Sequence, residues 1–297
     1  MSSINHVNVI ICSLANDKLV PVQMRKILKN YYWWCPLLMY SVDANAWGLF
    51  THVYFAQSLI LSMPLLDPRL RSAIKKFPEL LMAGACLPDL AVISKKFNTT
   101  HQWQKSEHML DMVQTEEEIA IAIGYASHLY VDVIAHNHFV PAHEALWNDE
   151  SIVAHIASEW AMDAHLAKHI TYTPGQLINR HLSIISPLVA NCFSCLELKT
   201  RTILKQLAFA DSLLRCVKLP QIINQVIRVT DSDVNKTFGY YITKTEVALA
   251  DFNKALQGHH PAWEPELRHL SFDELGDWRT RCLKDLTEDL AVPIHYY

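Results

Sequence analysis

Two four-residue intervals in the middle of the chain each pair an imidazole with a carboxylate. His128 precedes Asp132 in one interval, and His155 precedes Glu159 in the other. Residues four positions apart on an α-helix share a face, so each interval would present both side chains to one point. Neutral imidazole and carboxylate are ligands that Zn²⁺ takes in proteins. Either pair alone could be a hydrogen bond on a helix surface, but two matching pairs favour a shared metal site.

Histidines are concentrated around these intervals. The chain has 16 histidines, and ten of them lie between His52 and His169. His136 and His138 follow Asp132 by four and six positions. Each is a candidate for a further metal ligand, and their spacing leaves the choice between them open.

Apolar residues at helical spacing predict the elements that hold these side chains. A proline ends the second predicted stretch and places Asp89 in the following turn, and Thr115 caps the fourth. Two or three long amphipathic segments then extend to residue 256, before a loop-rich tail. No strand alternation, repeat or linker is present, so we expect one all-α domain, a multi-helix bundle enclosing the metal site. The predicted stretches are 48–63, 67–86, 100–113, 115–136 and 151–169.

Composition agrees with a helical core. Apolar residues make up 51% of the 297 positions and charged residues only 19%, which argues against disorder. Seven glycines are few for a fold built on tight turns. The net charge of −4 provides no basic field for a duplex nucleic acid, so a small or zwitterionic substrate is favoured.

The first 46 residues have the order of a secretory signal peptide. Cationic residues after Met24 precede an apolar run over 31–42, which is too short to span a bilayer stably, and Ala44-Asn45-Ala46 follows. We expect cleavage before Trp47, a secreted or periplasmic protein, and a true start at Met24, with residues 1–23 as an extension. The alternative is a buried N-terminal helix in an uncleaved cytosolic protein.

Cleavage at this point would leave an odd number of cysteines. Cys192 and Cys195 form a C-x-x-C pair without a second such pair, so a structural zinc knuckle is not expected. No disulfide connectivity follows from the spacing. The five cysteines are Cys86, Cys192, Cys195, Cys216 and Cys282.

Taken in order, the motifs resemble those of the zinc-dependent phospholipase C family over about residues 47–166. The resemblance implies a helical bundle that holds up to three zinc ions. The interval from Trp47 to His52 is shorter than in the secreted bacterial phospholipases and similar to that of a wider set of relatives. The matching motifs are Trp47-Gly-Leu-Phe-Thr-His52, Pro88-Asp89, Asn98-Thr-Thr-His101, His128-x-x-x-Asp132 and His155-x-x-x-Glu159.

The resemblance also implies a role for each matching residue. In the family, a mature N-terminal tryptophan binds zinc through its α-amino nitrogen and carbonyl oxygen, together with a histidine and a bridging aspartate. The aspartate of the Pro-Asp turn contacts zinc and has been viewed as the base that activates water. His108 is the fallback for the histidine at His101. The implied zinc ligands are Trp47, His52, Asp89, His101, His128, Asp132, His136 or His138, His155 and Glu159, and Asp89 is also the catalytic residue.

The implied function is zinc-dependent hydrolysis of phosphate esters, as a phospholipase C acting on phospholipid at a membrane surface. No stable protein partner is evident from the sequence. One alternative is a related zinc nuclease for single-stranded nucleic acid, but the chain lacks a basic stripe with interleaved aromatics. The other is a non-catalytic, metal-stabilised helical protein that binds lipid, for which Asp89 would be unnecessary. The region from about residue 172 has no assigned role.

Overall fold

Helices make up nearly all the regular structure of this protein. The structure is a computed structural model, and it describes residues 48–61, 67–147, 152–262 and 271–296. Within these ranges there is no strand, only an isolated bridge between Pro261 and Tyr296. The all-α prediction is therefore confirmed. The expected signal peptide, the start at Met24 and Trp47 all lie outside the described residues and stay predictions.

The helices are α1 (Leu49–Leu61), α2 (Pro68–Lys76), α3 (Pro78–Gly84), α4 (Leu90–Ile93), α5 (Trp103–Met112), α6 (Glu116–Ile134), α7 (Val140–Trp147), α8 (Ile152–Leu166), α9 (Pro174–Arg180), α10 (Leu182–Cys192), α11 (Glu197–Cys216), α12 (Leu219–Thr230), α13 (Val234–Ala248), α14 (Phe252–Leu256) and α15 (Phe272–Thr287).

The helix predicted over 67–86 is two helices, which corrects the sequence-based prediction. Phe77 separates α2 from α3 with φ −125° and ψ 55°, outside the helical region. Pro78 explains the break, because the ring of a proline disfavours the helical conformation of the residue before it. Both α2 and α3 pack against α6.

Helix α6 is the central element of the bundle. Thr115 caps its start, as predicted, and forms a capping box with Glu118, and all of its residues from Ala120 onward are buried. The continuous helical stretch Glu116–Trp147 is long and apolar enough to cross a membrane, but 94% of its most apolar window is buried inside the protein. Burial of this kind is typical of the core helix of a bundle.

A wide turn interrupts this stretch between α6 and α7. Residues Ala135–Phe139 form a π-helical turn, hereafter the π turn, closed by the N–H of Val140 on the carbonyl of Ala135. Pro141 explains why the regular α-helix stops here. Proline has no N–H to donate to the carbonyl of Asn137, and its ring would collide with that carbonyl in a regular helix.

Two glycines bring α3 and α6 into backbone contact. A Cβ atom on Gly84 would lie 2.2 Å from the carbonyl oxygen of Ile121, and a Cβ atom on Gly124 would lie 2.0 Å from the carbonyl oxygen of Leu81. No side chain fits at either position. The two helices can therefore approach closely enough for the end of α3 to reach side chains on α6.

The C-terminal half agrees with the sequence-based prediction up to residue 256 and differs from it in the tail. The described residues between 174 and 256 form the helices α9 to α14, and α11, α12 and α13 are long helices, as expected for this region. The tail predicted to be loop-rich contains α15, which begins with a capping box between Ser271 and Glu274. An ion pair of 2.7 Å between Arg279 and Glu144 holds α15 against α7.

Candidate metal centre

The first of three groups of potential ligands joins α1 to α6 and contains His52, His128 and Asp132. Asp132 places one carboxylate oxygen 3.1 Å from Nε2 of His52 and the other 3.0 Å from Nε2 of His128. The two imidazole rings stack, with centroids 3.6 Å apart and planes inclined by 14°. All three side chains are buried. This carboxylate therefore faces imidazoles from two different helices, as a bridging ligand would.

The close contact of α3 with α6 orients the ring of His128. Nδ1 of His128 lies 2.8 Å from the carbonyl oxygen of Ala85, the residue that follows α3. A donor at Nδ1 leaves Nε2 with the lone pair directed into the group. Histidines that bind metal commonly donate their other ring N–H in this way. The glycine contact at Gly84 and Gly124 is thus the local cause of the ligand orientation.

The second group contains Asp89, His101 and His128. Oδ1 of Asp89 lies 3.8 Å from Nε2 of His101 and 3.9 Å from Nε2 of His128. The Nε2 atoms of the two histidines are 3.2 Å apart, and Nε2 of His101 is 3.5 Å from Oδ2 of Asp132. Such distances leave room for an ion among the donor atoms.

Thr100 fastens the loop that carries His101 to the turn that carries Asp89. Its hydroxyl donates to the carbonyl of Pro88, and its own carbonyl accepts a hydrogen bond from the hydroxyl of Tyr125 on α6. Thr100 and Tyr125 are completely buried. The loop and the turn are therefore held on the same side of α6 as His128.

The third group contains His136, His155 and Glu159, and joins the π turn to α8. Nε2 of His155 lies 3.0 Å from Oε1 of Glu159, and the rings of His136 and His155 have centroids 5.4 Å apart. The structure therefore places His136, the histidine four positions after Asp132, beside His155 and Glu159.

His138 does not join this group. Its Nε2 lies 2.9 Å from the carbonyl oxygen of Pro293, near the C-terminus. Six positions on a helix correspond to about 600°, which turns a side chain far from the face of Asp132, whereas four positions nearly preserve that face. This difference in direction separates the two histidines that the sequence left as alternatives.

Two further expected ligands also lie apart from the groups. His108 is exposed on α5 and belongs to none of them, so His101 is the histidine that the fold places beside Asp89. Trp47 lies outside the described residues, and its role as a ligand stays a prediction. The described part of the chain begins one residue later, at Gly48.

Asp163 supports the centre from α8 and was not identified from the sequence. Its carboxylate accepts hydrogen bonds from the backbone N–H groups of Phe50 and Thr51 at the start of α1, and lies 2.7 Å from Nη2 of Arg215. Asp163 follows Glu159 by four positions, just as Glu159 follows His155, so the three residues share one face of α8. That repetition was the signal available in the sequence.

Burial raises the pKa of two carboxyl groups in the centre. Desolvation raises the pKa of Asp89 to about 8, against the attraction of His128 and with the repulsion of Asp132. Desolvation likewise raises the pKa of Glu159 to about 7, against the attraction of His155. Both shifts mean that the anionic forms are poorly compensated by protein groups alone.

Two other groups in the centre, Asp132 and His101, have a lowered pKa. Burial acts to raise the pKa of Asp132, but the charges and hydrogen bonds of His128 and His52 outweigh it and hold the pKa well below its usual range. Burial, with repulsion from His128, lowers the pKa of His101 to about 3. His101 is therefore neutral near pH 7, as a metal ligand must be.

These residues fit a zinc cluster. Oδ1 of Asp89 is buried with no hydrogen-bond partner among the described residues, and the buried atoms Nε2 of His155 and Oε1 of Glu159 have only each other, at 3.0 Å. Leaving such a group unsatisfied costs about 1–3 kcal/mol or more, so these atoms require a ligand. The ion pairs that Asp89 and Glu159 make within the described ranges are with histidines. A divalent cation would satisfy both requirements, and imidazole with carboxylate is a donor set for Zn²⁺.

The described cysteines take no part in the three groups. They form no disulfide with one another. The free thiols are Cys86, Cys192, Cys195, Cys216 and Cys282.

Comparison with known families agrees with this geometry. A family model described as zinc dependent phospholipase C matches residues 51–206, slightly more than half of the chain. The match includes all eight residues of the three groups. Neither the curated proteins nor the solved structures provide a match. The chain belongs to the zinc-dependent phospholipase C family.

Proposed function

We propose that the protein is a phospholipase C that holds three zinc ions and hydrolyses phospholipids. The overlap of the three groups supports this proposal more than any other observation. His128 belongs to two groups, and the carboxylate of Asp132 lies at 3.0 to 3.5 Å from histidines of both. Ligands shared in this way favour neighbouring ions in one cluster over isolated structural sites.

Each group would hold one ion. The first would be completed by Trp47 through its free amino end, the second by Asp89 with His101, and the third by His136, His155 and Glu159. When bound, zinc lowers the pKa of coordinated water, polarises the phosphoryl group and stabilises charge on the attacking and leaving oxygens. No covalent nucleophile of the protein is needed for this chemistry.

Asp89 is the residue that we assign to proton transfer. Its carboxylate accepts a proton from the attacking water, the water oxygen bonds to phosphorus, and the bond from phosphorus to the glycerol oxygen breaks. The leaving alkoxide takes up the proton that Asp89 accepted, which restores the carboxylate, and the products are diacylglycerol and a phosphorylated head group. The side chain of the neighbouring His101 is 19% exposed, which supports entry of the substrate beside Asp89.

Release of phosphocholine from phosphatidylcholine in mixed micelles tests the proposal. Zinc-loaded protein should release it, a chelator should abolish release, and added zinc should restore it. Asp89→Asn should lose at least about 100-fold in kcat, as expected when a general base is removed. His108→Asn is the matched control, because His108 is exposed and outside the groups. Unchanged turnover by Asp89→Asn would contradict the assignment of Asp89.

The same preparation distinguishes the other functions. Cleavage of single-stranded DNA without phosphatidylcholine hydrolysis would identify a nuclease. Three bound zinc ions with neither activity would identify a metal-stabilised, non-catalytic protein. In both cases the phospholipase proposal would be wrong while the metal centre would remain.

We further propose that the protein is secreted or periplasmic and is cleaved before Trp47. The order of cationic, apolar and small residues before Trp47 supports this. Mass spectrometry of exported protein should find Trp47 as the first residue. A mature chain that retains the residues before Trp47 would remove the amino-terminal ligand from the first group.

A further inference from the structure

The π turn exposes main-chain carbonyls at the point where it delivers a metal ligand. In a regular helix the carbonyl of Asn137 would accept from the N–H of residue 141, but that residue is Pro141 and has no N–H. A buried carbonyl without a donor is destabilising, so another part of the protein must supply one. His136, a ligand of the third group, directly precedes Asn137.

The C-terminal region supplies these donors. Nε1 of Trp278 on α15 donates to the carbonyl of Asn137 at 2.9 Å, and Sγ of Cys282 lies 3.3 Å from the same oxygen. The hydroxyl of Tyr241 on α13 donates to the carbonyl of His138 at 3.1 Å. Donors from two helices thus bond consecutive carbonyls of the π turn.

These donors lie in a well-packed part of the structure. Tyr241 and Cys282 are buried, and the ion pair of Glu144 with Arg279, the residue directly after Trp278, fixes α15 at this point. Trp278 and Tyr241 both lie beyond residue 206, where the match to the family model ends. The family match alone therefore gives no reason to connect them with the metal centre.

We propose that Trp278 and Tyr241 are positioning residues for the third zinc site, which they serve by fixing the backbone of the π turn and hence the direction of His136. This rests on the zinc centre of the proposed function, and it assigns a role to the C-terminal region. Supports of metal ligands typically contribute about 10–100-fold to metal affinity. Loss of either donor should weaken the third site and leave the other two unchanged.

Trp278→Phe and Tyr241→Phe remove the donors and retain aromatic rings. Competition with a chromophoric zinc chelator should show three ions bound to the unaltered protein, with the dissociation constant of the weakest raised about 10-fold or more in each variant. Trp103→Phe and Tyr240→Phe are the matched controls. Trp103 stacks on His260, and the hydroxyl of Tyr240 donates to the carbonyl of Leu290, so neither contacts the π turn. Both controls should keep three ions at unaltered affinity.

A second background separates positioning from general destabilisation. Glu159→Ala should bind two ions, and adding Trp278→Phe to it should not change their affinity. A further loss of affinity there would show that Trp278 acts on the whole fold and would overturn the proposal. Three ions bound at unaltered affinity by both Trp278→Phe and Tyr241→Phe would also overturn the proposal, whereas the proposed function would stand. If circular dichroism shows that Trp278→Phe does not fold, the zinc affinity of Tyr241→Phe tests the proposal. Fewer than three ions in the unaltered protein would contradict the proposed centre itself.

Discussion

One carboxylate oxygen of Asp163 accepts hydrogen bonds from both the backbone N–H and the hydroxyl of Thr51, at 2.9 and 2.8 Å. Asp163 lies on α8 with His155 and Glu159, and Thr51 directly precedes His52 on α1. The contact therefore ties the helix of the first group to the helix of the third. Arg215 balances the buried charge of Asp163 and also lies over the ring of Phe50, 3.8 Å from its centroid.

Asp163→Ala should lower the free energy of unfolding by about 3 kcal/mol, because it leaves α1 uncapped and Arg215 without one of its two carboxylate partners. Urea denaturation measures this change. Zinc affinity should fall as well, since the start of α1 loses its attachment. Asp67→Ala is the control: Asp67 caps α2 at the surface by accepting from the N–H of Arg69. That variant should lose only about 1 kcal/mol and keep its zinc. Equal zinc affinity in both variants would contradict the role of Asp163.

Gly124→Ala should be among the most damaging single substitutions in the chain. The new Cβ atom would lie 2.0 Å from the carbonyl oxygen of Leu81, so α3 must move away from α6. The hydrogen bond between Nδ1 of His128 and the carbonyl of Ala85 would then be lost. We expect a loss of several kcal/mol in unfolding free energy, by thermal or urea denaturation, with reduced zinc content.

The matched substitution is Gly239→Ala in α13, where nothing lies within 4 Å of the added atom. It should stabilise the protein by about 0.5–1 kcal/mol, because alanine has the higher helix propensity. Equal effects at the two glycines would show that the contact between α3 and α6 is not required.

Asp132→Ala should release more zinc than Glu159→Ala. Asp132 directs its two oxygens at His52 and His128, whereas Glu159 pairs with His155 in the third group alone. Elemental analysis of purified protein should find the loss of at least two ions from the first variant and one from the second. An equal loss from both, or full zinc retention by Asp132→Ala, would contradict a bridging role.

Much of the centre could be predicted from the sequence because its ligands come in helical pairs. The four-residue interval is local, so His128 with Asp132 and His155 with Glu159 could be recognised without a fold. The choice between His101 and His108 depends on the bonds of Thr100 to Pro88 and Tyr125, which join distant segments. No local spacing contains that information.

His143 should make stability depend on pH independently of the metal centre. It is buried, and its Nδ1 lies 2.8 Å from the carbonyl oxygen of Phe139. Burial lowers its pKa to about 4, against the opposing effects of that carbonyl and Asp231. An unfolded histidine titrates near about 6.5. As pH falls from about 6.5 to about 4, the unfolded chain therefore takes up the proton first, and stability is lost.

The size of this loss is about 1.4 kcal/mol per pH unit within that window. Urea unfolding from pH 7 to pH 4.5, in the presence of chelator, should show a flatter dependence for His143→Gln than for the unaltered protein. His108→Gln, at an exposed histidine, should keep the original slope. Parallel slopes for all three proteins would show that His143 is not protonated on unfolding.

The C-terminal tail shows where sequence-based prediction failed. A tail containing Pro261 and Pro265 suggested loops, yet the capping box of Ser271 and Glu274 begins a helix of 16 residues. The role of Pro141 was also missed, because the consequence of a missing N–H depends on which donor replaces it. That donor, Trp278, is 141 positions from its acceptor Asn137.

This separation along the chain has a consequence for the order of assembly. A polypeptide that emerges from its N-terminus presents the histidines and acids of the cluster long before Trp278 and Tyr241 exist to support them. Under the positioning role proposed above, the early segments would reach the final geometry around His136 only after α15 has docked. Under the proposed function, the third site is therefore completed later than the other two, once α13 and α15 have been synthesised and have docked.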